Sequence, residues 1–125
     1  MKVILVNGSG HINGTTMAAV KEMVRVFEAD GVETEVIQLG NQPLVDCMQC
    51  NACRKDGKCV IQNDGVNAFV QKAREADGFV FATPVYFAHP SGRIFSFLDR
   101  AFYSNGENEI YEAFQFKPGA AIAIA

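Results

Sequence analysis

Four cysteines, Cys47, Cys50, Cys53 and Cys59, fall within thirteen residues in the pattern C-x2-C-x2-C-x5-C. Thiolates three residues apart wrap tightly round a compact centre, as at the start of bacterial ferredoxin motifs. Structural zinc usually takes two cysteine pairs separated by a longer loop. Metal or redox chemistry is the first reading of such a cluster in a reducing compartment, with iron–sulfur ahead of zinc. Four reduced thiols in a surface loop, or a disulfide formed in air, fit the spacing too.

A second group of chemistry-bearing residues is the loop Asn7-Gly8-Ser9-Gly10-His11-Ile12-Asn13-Gly14-Thr15-Thr16. It joins an apolar run to a helical pattern, so unpaired N–H groups and the positive end of a helix dipole would meet an anion there. The loop lacks the lysine of a Walker-type motif, and Asn13 stands where the third glycine of Gly-x-Gly-x-x-Gly belongs. A hydroxyl-rich cradle of this kind suits a bound monophosphate better than a transferring triphosphate; an ordinary polar turn with a threonine cap would look similar. The third group is the loop Thr83-Pro84-Val85-Tyr86-Phe87-Ala88-His89-Pro90-Ser91-Gly92. Two adjacent aromatics on an exposed loop are costly unless they cover a planar apolar partner, and N–H groups around Val85 and Tyr86 would meet the polar edge of that partner. The competing reading folds Tyr86 and Phe87 into the core.

The elements that position these loops follow from the hydrophobic pattern. Residues 2–6 form a nearly continuous aliphatic run, as in a parallel strand buried on both faces. Met17, Val20, Val24 and Phe27 recur at helical spacing, with Gly31 as the stop. Residues 32–39 alternate with Glu33 and Glu35, which suits an edge strand. Asp64 is placed to cap a helix carrying Val66, Phe69, Val70 and Ala73. Residues 78–82 are a second apolar strand, and Ser91 is placed to cap a helix with Ile94, Phe97, Leu98, Ala101 and Phe102. A long connection with Asn105-Gly106 as its turn leads to a last strand over 120–125 without one polar side chain. Strands alternating with helices predict a parallel sheet with right-handed crossovers. With the apolar strands central, the order is 2-1-3-4, a flavodoxin-like α/β three-layer sandwich with ligands at the carboxyl ends of the first and third strands. Met17 and Met23 read as core or interface, His11 as solvent-facing, and Arg93, Asp99 and Arg100 as a solvated helix face.

The chain has 125 residues, 49% hydrophobic and 20% charged, which excludes disorder and matches one globular domain. Its net charge of −3, with basic residues scattered, argues against a phosphate-tracking nucleic-acid surface. No run approaches a membrane span and no signal-peptide core precedes Asn7, so a cytoplasmic protein is expected.

Together the two loops resemble those of the NAD(P)H-dependent FMN reductases of the flavodoxin-like superfamily, particularly the branch of iron–sulfur flavoproteins. The opening loop is similar to the family's Gly-Ser-Pro-Arg-x-x-Gly-Asn-Thr signature at Gly8, Ser9 and Thr16, with Asn13-Gly14 as its small polar turn. Gly10 replaces the proline and His11 the arginine, which removes a fixed cationic contact to the phosphate. The stretch from Ala76-Asp77-Gly78 through Thr83-Pro84-Val85-Tyr86-Phe87 and Ser91-Gly92-Arg93 to Phe97-Leu98-Asp99-Arg100 resembles the family's flavin-loop and helix pattern, and the likeness covers the whole chain.

The resemblance implies FMN as cofactor. Ser9, His11, Asn13, Gly14, Thr15 and Thr16 would lie on its phosphate, and Pro84, Val85, Tyr86 and Phe87 would flank the ring. His89 is a further candidate for that site. NAD(P)H is the implied donor and the acceptor is unknown; hydride or electrons would move through the flavin, with no catalytic side chain. The cysteine spacing resembles the motif holding a [4Fe-4S] cluster in iron–sulfur flavoproteins. The family domain is expected to continue past Ala125 with a third flavin-facing loop, a helix and another strand. Residues 1–125 would then be a single truncated domain, with a cysteine-rich insertion at 47–59 and an exposed last strand that pairs in at least a dimer. Two alternatives stand beside an FMN reductase: an electron carrier exchanging with ferredoxin through the cluster, and an oligomerising fragment without flavin activity.

Overall fold

A computed structural model describes residues 1–105 and 112–125. Its elements run β1 (Lys2–Asn7), α1 (Thr15–Ala29), β2 (Glu33–Gln38), α2 (Cys53–Asp56), α3 (Val66–Glu75), β3 (Gly78–Pro84), α4 (Gly92–Ser104) and β4 (Gly119–Ile124). All strands are parallel and ordered β2-β1-β3-β4, as the charge and hydrophobic pattern predicts. Asn105 ends α4, and Gly106, the other half of the expected turn, lies outside the described residues.

Strand periodicity divides the core in two. On β1, Val3 and Leu5 point to one face and pack with Met17 and Val20 of α1 and with Val80 and Ala82 of β3. Ile4 and Val6 point to the other, against Val66, Phe69, Val70 and Ala73 of α3 and Ile94, Phe97 and Ala101 of α4. The result is three layers. Phe69 is the hub of the second face, its ring centroid 4.9 Å from Phe97, 5.8 Å from Phe114, 6.1 Å from Phe79 and 6.3 Å from Phe81.

Two expected caps work differently. Gly65, in the left-handed conformation, is the N-cap of α3, and Asp64 sits one residue earlier, its Oδ1 3.4 Å from the Val66 N–H. Most of that carboxylate's capacity goes to Arg100. Ser91 is the N-cap of α4, but its hydroxyl meets Thr83 Oγ1 at 3.2 Å and the Gly8 carbonyl at 3.4 Å rather than the helix. Phe97 is buried as expected, while Phe102 is exposed. On β4, Ala120, Ala121 and Ala123 are also exposed, because the strand lies at the sheet edge.

At the opposite edge, Glu35 of β2 accepts from Lys2 Nζ at 2.8 Å and from Lys72 Nζ. Those hydrogen bonds, Lys2 first, hold the Glu35 carboxyl below its usual range. A depressed folded-state value stabilises the fold at pH above the ordinary carboxylate range, and that contribution disappears as pH falls through the folded value. Urea unfolding across acid pH is therefore expected to show a smaller loss of stability for Glu35→Gln than for the parent, by up to about 1 kcal/mol for so exposed a network. Identical acid limbs for the two chains would remove this assignment.

Candidate functional site

Asn7 ends β1 fully buried, and its amide is matched by Gln38, its register partner at the end of β2. Asn7 Nδ2 donates to Gln38 Oε1 at 2.6 Å, and Gln38 Nε2 donates to the Ser9 carbonyl at 2.6 Å. Asn7 Oδ1 accepts the Ser9 N–H at 3.0 Å, and Ser9 Oγ accepts the His11 N–H at 3.1 Å. The buried amide of Asn7 and the half-buried amide of Gln38 thus set the backbone of the first loop, and the motif reading gave neither a role. The available signal was an amide side chain closing each of two neighbouring strands.

Beyond this frame the loop turns outward. Ser9 and Thr16 are buried, Gly14 is half-buried, and His11, Asn13 and Thr15 are exposed. Gly14 is the N-cap of α1; among the described residues no side chain caps that end, and no acidic residue stands in the first turn. The N-terminal amides of a fifteen-residue helix therefore face an approaching anion without a carboxylate to repel it. At Gly8 a side chain would be crowded: a Cβ would lie 3.1 Å from the Ala82 carbonyl and 3.2 Å from Ile94.

Ala82 of β3 is the register partner of Asn7, and its carbonyl accepts the Gly8 N–H at 2.7 Å. The loops after β1 and β3 consequently leave the sheet side by side, where the chain's crossovers change direction. Tyr86 and Phe87 are 68% and 83% exposed, so the core reading of these aromatics does not hold. The Val85 N–H donates to the Ile124 carbonyl at 2.8 Å, so the expectation that it meets a ligand edge is corrected. Pro84 is buried at the strand end, and exposed His89 has its Nδ1 2.6 Å from the Pro90 oxygen. An uncapped helix start, a glycine where a Cβ would be crowded and two exposed aromatics beside them fit a phosphate-tailed planar ligand such as FMN.

The cysteine segment forms one short helical turn, α2, within its loop. All four cysteines are free and all line one pocket with Met48, Ile61, Arg100 and Tyr103. Burial, rather than any partner, is the main cause pushing the Cys53 thiol up, and the other three cysteines add to it. Among the described residues no three His, Cys, Asp or Glu side chains converge closely enough for a single metal ion. A four-iron cubane takes one thiolate at each of four corners, so four thiols lining one cavity suit it in number and in donor chemistry.

Arg100 overturns the solvated-face reading: it is 1% exposed, held by Asp64, by Cys59 Sγ at 3.3 Å and by the carbonyls of Val45 and Ile61, each at 3.2 Å. Burial alone would lower its pKa, and the hydrogen bonds to Asp64 and Cys59 more than offset this, so it stays charged. Asp99 is exposed as expected, and Arg93 donates to the Gln42 carbonyl.

The parallel sheet ordered β2-β1-β3-β4 with helices on both faces is a flavodoxin-like α/β fold, and comparison with known proteins narrows the class. A family model described as NADPH-dependent FMN reductase matches residues 1–125. The chain belongs to that family. It is 39% identical over 101 residues to an iron-sulfur flavoprotein of Methanocaldococcus jannaschii, covering 81% of this chain and 52% of that one. Over 124 residues it is 28% identical to the iron-sulfur flavoprotein of Methanosarcina thermophila, covering 99% of this chain and 63% of that one. The chain thus spans between about half and two-thirds of the length of these curated relatives. Among solved structures, a flavone reductase superposes with a TM-score of 0.71 at 20% identity, covering 98% of this chain and 43% of that one. RosB, solved with a bound riboflavin-5'-phosphate derivative, gives 0.64 at 20% identity, covering 98% and 51%. At that identity these two likenesses concern the fold. Among the described residues no helix is long and apolar enough to cross a membrane.

Proposed function

We propose that residues 1–125 form an FMN-binding domain, with the cysteine-rich insertion at 47–59, of an oxidoreductase that moves electrons from NADH or NADPH to an acceptor. The observation that carries this reading is the juxtaposition at the carboxyl ends of β1 and β3. There the uncapped start of α1 stands beside the exposed Tyr86 and Phe87. Ser9, His11, Asn13, Gly14, Thr15 and Thr16 hold the phosphate with the first amides of α1. Pro84, Val85, Tyr86 and Phe87 flank the ring, Val85 through its side chain because its N–H is already bonded. Bound FMN supplies the redox chemistry, while the chain anchors its tail, orients its ring and keeps water from one face. Membership of the FMN reductase family supports the cofactor.

Cys47, Cys50, Cys53 and Cys59 are the proposed ligands of a [4Fe-4S] cluster, supported by their shared pocket and by relatives named iron-sulfur flavoproteins. The same pocket favours a second reading, an electron carrier that exchanges with ferredoxin and takes nothing directly from nicotinamide. Mixing the FMN-loaded chain anaerobically with NADH and then NADPH separates the two: bleaching of the visible flavin band is expected with at least one. A band that resists both but bleaches with reduced ferredoxin would put the carrier in its place. Assembly in the cytoplasm as at least a dimer belongs to the proposal, with the exposed alanines of β4 as the surface to be covered. A one-chain mass by light scattering would remove that part.

A further inference from the structure

We infer that Arg100 is a positioning residue for the cysteine pocket: its Nε–H donates to the sulfur of Cys59 and thereby raises the reduction potential of the cluster held there. This rests on the reading of the four cysteines as cluster ligands. A guanidinium has five N–H donors, and here all five are used. Two go to the Asp64 carboxylate, one from Nη2 at 3.2 Å and one from Nη1. One goes to the Val45 carbonyl, two residues before Cys47, and one to the Ile61 carbonyl, two residues after Cys59. These four bonds fix the plane of the group and clamp both ends of the cysteine segment to α4. The fifth, Nε–H to Cys59 Sγ at 3.3 Å, is aimed by the other four.

Asn67 adds to the fixation of Cys59, accepting its N–H at 2.9 Å and donating to its carbonyl at 2.9 Å. Backbone and side chain of Cys59 are thus both tied. A hydrogen bond to a ligand sulfur stabilises the more negative, reduced form of a cluster, so its potential rises. Lysine cannot substitute: an ammonium is a point charge with three donors and no planar fork.

The test uses the chain purified anaerobically and reconstituted with ferrous iron and sulfide. In the native sequence, grown with arginine labelled at its side-chain nitrogens, pulsed EPR of the dithionite-reduced cluster is expected to show coupling to the label. Arg100→Lys, once loaded, is expected to titrate at a lower potential, by about tenfold in the reduction equilibrium or roughly 59 mV for one electron. A residue that only supports the fold would change stability or iron content and leave both readouts unmoved. A loaded native cluster without arginine coupling overturns the inference whether or not the variant folds, and so does an unchanged potential in the loaded variant. A native chain that takes up no iron or sulfide overturns it together with the cluster assignment, leaving the FMN site unaffected.

Discussion

Phe69→Ala is expected to lower the unfolding free energy by about 3–5 kcal/mol, the range for deleting a fully buried phenylalanine. The ring sits on α3 at 1% exposure and touches rings from β3, α4 and the segment before β4. None of these neighbours can collapse into the gap without leaving its own partner: Phe79 and Phe81 are fixed on a central strand, and Phe97 is buried at the centre of α4. Total stabilities of small domains are about 5–15 kcal/mol, so the variant should sit close to unfolding. Phe116→Ala is the control, since that ring is 96% exposed and its loss should stay within about 0.5 kcal/mol. Urea midpoints at unchanged slope measure both. A Phe69→Ala loss under about 1 kcal/mol would mean that the second face of the sheet is not packed as described.

Gly8→Val is expected to weaken FMN binding by more than tenfold, with a stability cost of about 1–3 kcal/mol for overpacking. The cause is space. A Cβ would press on the Ala82 carbonyl, which accepts the Gly8 N–H, and on Ile94 in the first turn of α4. Valine adds two further methyl groups to that contact. The loop after β1 must then leave the loop after β3, which separates the phosphate cradle from the aromatic pair. Gly14→Ala makes the comparison: its Cβ meets only the His11 Cβ and backbone oxygen, at 3.3 and 4.0 Å, and His11 is exposed and free to give way. Fluorescence titration with FMN, at a temperature where both variants are folded, should separate them clearly. Equal affinities would show that the close approach at Gly8 does not shape the site.

Most of the fold was legible because its signals are local. The unbroken aliphatic run of β1 and the apolar β3 mark central parallel strands, and Glu33 and Glu35 mark an edge, which together give the order 2-1-3-4. Both loops were legible for the same reason: each follows a buried strand directly. Arg100 was not, since a charged residue on a helix normally faces water. What buries it is an ion pair with Asp64, thirty-six residues away in sequence, which no local pattern reveals. Its spacing was a usable hint: Arg100 stands three residues after Phe97 and four before Ser104, on the same inward stripe. Asp64 misled in the complementary way. A carboxylate before a helix reads as a cap, and it is drawn away by a guanidinium it can bind with both oxygens. The role of Val85 was obscured because its N–H is claimed by Ile124 of β4, thirty-nine residues downstream.

The most direct test of the central claim is a paired titration of the native chain with FMN and with riboflavin, which share the ring system and differ in the phosphate. Anchoring of the tail at the start of α1 predicts saturable FMN binding, with riboflavin weaker by at least about tenfold, the effect of 1.4 kcal/mol from charge-assisted hydrogen bonds. Equal affinities for the two, or binding of neither at micromolar concentration, would contradict it.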